Sequence, residues 1–206
     1  MSLSARSKKL FLTIGVVVWL GAVVWGLNLL NEYGFLPASS GAATDRWPVD
    51  AGMWRAEGIP TLVVALHPEC TCSRASLSEL DTILLETTPN LRAVVIFLDD
   101  DSEHPAGASP LFKTAQKMPG VTLVRDRDGS ELKKFGFETS GDTRLYRADG
   151  TLIFRGGITL SRGHAGPNPG RDAVIHAVRD PQTVPAFPVQ KTPVFGCTLF
   201  EPPTNS

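Results

Sequence analysis

The chain has 206 residues, 20 of them basic and 21 acidic, for a net charge of −1. That balance excludes the basic footprint of a nucleic-acid binder, and the length suits one domain of about 130 to 150 residues with additions at its ends. Three cysteines are too few for a disulfide scaffold; their placement as Cys70-Thr71-Cys72 plus a distant Cys197 points to chemistry instead.

Residues 1–9 carry Arg6, Lys8 and Lys9, and an uncharged run follows from Leu10 to Leu30. As a helix that run is about 30 Å long, enough to cross the hydrocarbon core of a membrane. Trp19 and Trp25 lie inside it, Tyr33 lies just beyond, and its far flank as far as Thr44 carries only Glu32. The positive-inside rule then keeps residues 1–9 in the cytoplasm and sends the rest outside. The expectation is a retained single-pass anchor over residues 10–30 of an inner (cytoplasmic) membrane, with the soluble part periplasmic or extracellular. A cleaved signal peptide is the alternative, because Pro37 to Ala43 offers small residues. Either way the cysteines face an oxidising compartment.

Residues 31–54 read as a linker and pre-domain strap, with Trp47, Met53 and Trp54 as apolar contacts. Thr61 to Leu66 is a strand buried on both faces, stopped by His67-Pro68. A helix is entered near Cys70, with Leu77, Leu80, Ile83 and Leu84 as its apolar stripe. Leu91 to Leu98 is a second buried strand, ended by Asp99-Asp100-Asp101. Ser109 to Met118 suits a short helix with Pro110 at its first position. Val121 to Val124 is a third strand, and Ser130 to Gly136 a short helix closed by glycine. Thr143–Arg147 and Thr151–Arg155 flank Ala148-Asp149-Gly150 as a hairpin, with Gly156-Gly157 expected to break its second strand. A final helix is expected over Arg171 to Arg179. The tail, residues 181–206, has prolines at 181, 185, 188 and 193 and should run as an extended strap.

The order β-α-β-α-β-α-β-β-α gives a mixed sheet with helices on both faces. Two cysteines sit where a strand delivers a helix N-terminus, whose free N–H groups and positive end stabilise a thiolate. Over residues 55–180 the chain resembles membrane-anchored, extracytoplasmic thioredoxin-like proteins of the kind that handle thiols in cytochrome c maturation. The resemblance rests on Gly58-Ile59-Pro60-Thr61-Leu62-Val63-Val64, Lys134-Phe135-Gly136-Phe137 and Tyr146 to Arg155, and is nearest to proteins known as RedB. It implies a thioredoxin-like fold and thiol–disulfide oxidoreductase activity on protein thiols or disulfides, with no cofactor and no nucleic acid. The chain departs from the family's pattern twice. The spacing is Cys-x-Cys rather than Cys-x-x-Cys, and no proline stands at Ser140-Gly141-Asp142, where the family places a cis-proline opposite the cysteines.

Cys70 and Cys72 are the expected redox residues, with Cys70 favoured as nucleophile because a turn should leave it more exposed. Helix positions i and i+2 diverge, so the two can pair only if Cys70 stays in the turn. The apolar segment Val194-Phe195-Gly196-Cys197-Thr198-Leu199-Phe200 should dock on the domain. That would bring Cys197 to the pair as a resolving thiol, with Cα atoms about 4.4 to 6.8 Å apart. His67, Arg162 and His164 are supporting candidates that would lower a thiol pKa, and Gly141 marks the facing loop. His104 and His176 read as a loop and a helix residue. The alternative reading is a copper(I) metallochaperone using Cys70, Cys72 and His67 or His164.

Overall fold

The computed structural model describes residues 5–99, 105–185 and 188–200, which leaves His104, Asp100 and Asp101 outside. It divides into two units, residues 1–36 and 37–206. The first is helix α1, Ala5–Phe35. Its stretch Lys9–Phe35 is long and apolar enough to cross a membrane by length and composition. The helix runs past the expected end at Leu30 to Phe35, stopping where Pro37 denies Leu36 the helical region.

The second unit is built around β1, Thr61–Leu66, all of whose residues are buried. Helix α2, Thr71–Thr87, crosses over to β2, Arg92–Leu98, which lies parallel to β1 from Thr61↔Arg92 to Leu66↔Phe97. Helix α3, Pro110–Ala115, starts at Ser109, whose hydroxyl accepts from the Phe112 N–H at 3.1 Å. Strand β3, Val121–Asp126, adds in parallel to β2, and α4, Ser130–Lys134, follows. Strands β4, Asp142–Tyr146, and β5, Leu152–Gly157, form the expected antiparallel hairpin, with β4 antiparallel to β1. Helix α5, Pro169–Arg179, is capped by Asn168, which accepts from the Arg171 N–H at 2.9 Å. Strand β6, Gln190–Lys191, pairs parallel with β5. The sheet order is therefore β3-β2-β1-β4-β5-β6. A β-α-β unit and a β-β-α unit meet at its centre.

Two apolar layers cover the sheet. One joins Leu62, Val64, Val95 and Phe97 to Leu80, Ile83, Val174 and Val178 of α2 and α5. The other joins Val63, Ala65, Val94 and Ile96 to Phe135, Phe137, Tyr146 and Leu199. Trp47 packs edge-on against Phe135 and Tyr146, with centroids 5.0 and 5.2 Å away. Residues 37–54 are thus part of the domain. The Ala38 N–H donates to the Val194 carbonyl and the Trp47 N–H to that of Gly150, both at 2.8 Å.

Gly156-Gly157 does not break β5, contrary to expectation: the pair stays in register with Thr143 and Asp142. The glycines serve a close approach instead. A Cβ on Gly157 would lie 2.6 Å from the Pro193 carbonyl, and Gly156, at φ +128°, backs onto Thr192. The tail crosses the strand there.

Candidate functional site

Strand β1 delivers its chain into the turn His67-Pro68-Glu69, and Cys70 becomes the N-cap of α2 with extended torsions of −74° and 119°. Its carbonyl takes the first helical bond, from the Ser73 N–H at 3.0 Å. Cys70 therefore stays in the turn while Cys72 enters the helix. Two serines hold this turn against the loop before β4. The Ser140 hydroxyl accepts from the His67 N–H at 3.0 Å and lies 2.8 Å from the Ser73 hydroxyl, which donates to the His67 carbonyl at 3.0 Å. The Gly141 N–H donates to the Ala65 carbonyl at 2.7 Å; its φ of +89° and the Ser76 hydroxyl, 2.8 Å from where a Cβ would sit, explain the glycine.

The tail closes the site. Residues 197–199 pair in antiparallel fashion with residues 138–140: the Ser140 N–H donates to the Cys197 carbonyl at 2.9 Å, and the Leu199 N–H to that of Glu138 at 2.8 Å. Phe195 and Leu199 are buried on either side of the cysteine. Cys70 Sγ and Cys197 Sγ are 3.1 Å apart, and the sulfurs of Cys70, Cys72 and Cys197 all lie within 4.8 Å of one another as free thiols. The Arg162 guanidinium, from the loop after β5, donates to the Gly196 carbonyl. Buried Glu79 of α2 anchors that loop by accepting from the Gly166 N–H and pairing with Arg171 at 3.3 Å.

The three thiols have different acidities. Burial pushes Cys70 up, but the hydrogen bond with the Cys197 thiol and the N–H groups of Cys197, Cys72 and Ser73 more than offset it, leaving Cys70 below the usual thiol range. Burial and the neighbouring Cys70 charge hold Cys72 above that range, against the pull of Arg162. Burial and the same hydrogen bond push Cys197 up to about 12. In the fully protonated site Cys70 donates to Cys197; once Cys70 ionises, Cys197 is the donor.

No protein-family model matches the chain, and no curated protein does. Among solved structures, an uncharacterized conserved protein from Geobacillus kaustophilus is 18% identical, with a TM-score of 0.58 over 82% of this chain and 94% of that one. A hypothetical protein from Sinorhizobium meliloti is also 18% identical, with a TM-score of 0.56 over 78% and 93%. A secreted disulfide oxidoreductase of Mycobacterium tuberculosis gives 19% identity and a TM-score of 0.41 over 60% and 82%. The domain has a thioredoxin-like fold. That assignment rests on the sheet order β3-β2-β1-β4-β5-β6 with its central β-α-β and β-β-α units, and at these identities the likenesses reach no further than the fold.

Of the candidate residues read from sequence, the fold brings Cys70, Cys72 and Cys197 together and sets Arg162 and Gly141 beside them. The expected exposure of Cys70 is not observed: it is 5% exposed and Cys72 7%, because the tail segment covers the turn. Cys197 is the exposed thiol of the three. The histidines are engaged locally. His67 Nδ1 accepts from the Glu69 N–H at 3.2 Å, and His164, exposed, has Nδ1 2.7 Å from the Arg162 carbonyl. Neither joins the three-sulfur group among the described residues. Sequence reasoning missed Ser73, Ser140 and Glu79; the only local signal was Ser140 beside Gly141 in the loop facing the cysteines.

Gly196 lets the tail backbone pass the site, since a Cβ there would run into the Ser140 carbonyl. Gly196→Ala should therefore lift the segment from residues 138–140. The expected result is faster labelling of Cys70 by a bulky maleimide in the otherwise folded chain; unchanged labelling would show that the tail does not gate the site.

Proposed function

We propose that the chain is a membrane-anchored, extracytoplasmic thiol–disulfide oxidoreductase in which Cys70 is the nucleophile and Cys197 the resolving thiol. The single observation that carries this reading is the 3.1 Å separation of the two sulfurs, with Cys70 the more acidic partner. The Cys70 thiolate attacks one sulfur of a partner disulfide, forming a mixed disulfide and releasing one partner thiolate, which takes up a proton. Cys197 then gives up its proton and attacks Cys70 Sγ, releasing the second partner thiol and leaving Cys70–Cys197 oxidised. Two electrons have passed to the partner; run backwards, the same steps oxidise a dithiol. Cys72, within 4.8 Å, can exchange into this disulfide and free Cys197. The copper(I) alternative on Cys70, Cys72 and a histidine has less support, because both candidate histidines make local bonds.

Three experiments test this reading. Peptide mapping of the air-oxidised, non-reduced chain should find Cys70 linked to Cys197, and Cys197→Ser should trap a mixed disulfide with a thiol partner. A chain whose three thiols all stay free in a glutathione redox buffer would sink the proposal. For the anchor, a reporter fused after Thr44 should be active only outside the cytoplasm, since Arg6, Lys8 and Lys9 precede the apolar run. Cytoplasmic activity of that fusion would remove the oxidising context.

A further inference from the structure

We propose that Cys70, Cys72 and Cys197 also form a three-coordinate, all-thiolate site for a soft d10 cation, with monovalent copper as the ion of best fit. The three Sγ atoms lie within 4.8 Å of one another, and the Cys70–Cys197 edge of the triangle is 3.1 Å. An ion at the centre of three sulfurs, each bonded at about 2.3 Å, needs edges of about 4 Å. Every edge is within 4.8 Å, and the 3.1 Å edge must open by about 1 Å, which side-chain rotation can supply.

The third sulfur is delivered by backbone geometry. Main-chain bonds from the Ser140 N–H to the Cys197 carbonyl and from the Leu199 N–H to the Glu138 carbonyl fix the segment, the buried Phe195 and Leu199 side chains seat it, and Arg162 clamps Gly196. No carboxylate or imidazole joins the group among the described residues. An all-sulfur set of three selects a thiophilic ion content with trigonal coordination, whereas zinc would require a fourth ligand. Three thiolates around one monovalent cation leave a net charge of −2, which the positive end of α2 and the Arg162 guanidinium offset. Loading replaces up to three S–H protons by one copper(I) ion, with no change in oxidation state. The donor set differs from the cysteine–histidine set expected from sequence, because the strap supplies the third ligand.

This site does not rest on the exchange reaction, although it uses the same sulfurs; it needs all three reduced. The test is anaerobic titration of the reduced full-length chain in detergent with copper(I), in competition with bicinchoninate, followed by X-ray absorption. The expected result is one ion per chain with a first shell of three sulfurs at about 2.3 Å. Cys197→Ser and Cys72→Ser should each reduce the shell to two sulfurs and weaken binding by more than about tenfold. A wild-type shell of two sulfurs, a shell containing nitrogen, or a Cys197→Ser chain that binds as tightly would overturn the proposal. The wild-type spectrum decides the matter even if a variant misfolds. A chain that forms the Cys70–Cys197 disulfide but cannot hold copper against the competitor would end the metal site and leave the exchange reading standing; copper bound by three sulfurs in a chain that never forms a disulfide would do the reverse.

Discussion

Replacing Arg144 by methionine is expected to destabilise the domain by about 3 to 5 kcal/mol, read from the urea midpoint of the detergent-solubilised chain. Arg144 and Asp142 are both fully buried, with Arg144 Nη1 2.5 Å from Asp142 Oδ1. The guanidinium also donates to the Ser40 carbonyl at 2.5 Å and the Gly136 carbonyl at 3.3 Å, and it lies 4.7 Å over the Phe137 ring. It ties residues 37–54 to β4, the strand that begins just after Ser140 and Gly141. Removing one member of such a pair leaves the other as an uncompensated buried charge.

The effect should depend on pH. Burial raises Asp142 to about 6 even against the pull of Arg144. A folded pKa above the unfolded carboxylate value of about 3.9 means that folding takes up a proton between the two. The stability this contributes is complete below about pH 4 and is lost as pH rises through 6. Without Arg144 the carboxyl moves higher still, so Arg144→Met should cost more at pH 8 than at pH 5, where Asp142 is neutral. The double variant Asp142→Leu/Arg144→Met should recover most of the loss, because an apolar pair needs no desolvation. Equal midpoints for wild type and Arg144→Met at pH 8 would refute this account.

The second large effect belongs to the thiols. Cys70→Ser should reduce disulfide exchange to background, while Cys197→Ala should move the pH midpoint of Cys70 alkylation upward, toward the free value of about 8.5. The sign follows from the hydrogen bonds. The Cys70 thiolate accepts from Cys197, so its charged form is favoured and its reactivity persists below the usual thiol range. Deleting the donor removes that preference, and the reactive fraction is then lost at a higher pH. Metal-free, fully reduced protein is required for the measurement. An unchanged midpoint in Cys197→Ala would mean that the helix terminus alone sets the acidity of Cys70.

Much of this protein is local in origin. The unbroken apolar run of Thr61 to Leu66, Pro68 ending it, and the stripe of Leu77, Leu80, Ile83 and Leu84 place a strand, a turn and a helix on the two cysteines before any long-range contact is known. The Asp149-Gly150 turn between β-rich segments dictates the hairpin, and Ser109-Pro110 dictates the start of α3. Period and turn chemistry suffice there, because each signal lies within the few residues it organises. From these elements follow the mixed sheet, its order of construction and the address of the reactive pair.

What lay beyond the sequence depends on residues far apart in the chain. Gly156 and Gly157 look like strand breakers in isolation, yet they lie within β5, since their missing side chains make room for Thr192 and Pro193. Cys70 looks exposed in its turn, yet Phe195 to Leu199 covers it. Asp142 and Arg144 are charged residues of β4, and both are shut in beneath the strap at Ser40. In each case the deciding contact joins segments tens of residues apart. The free energy that selects it, apolar burial of Phe195 and Leu199 and pairing of buried charges, exists only once the sheet has formed; a local apolar pattern tells that the tail docks but not against which residues. The approach of Cys197 to the pair was legible in the apolar residues around it; its seat was a tertiary decision, because the open main-chain edge at residues 138–140 is where the tail's own hydrogen bonds are satisfied.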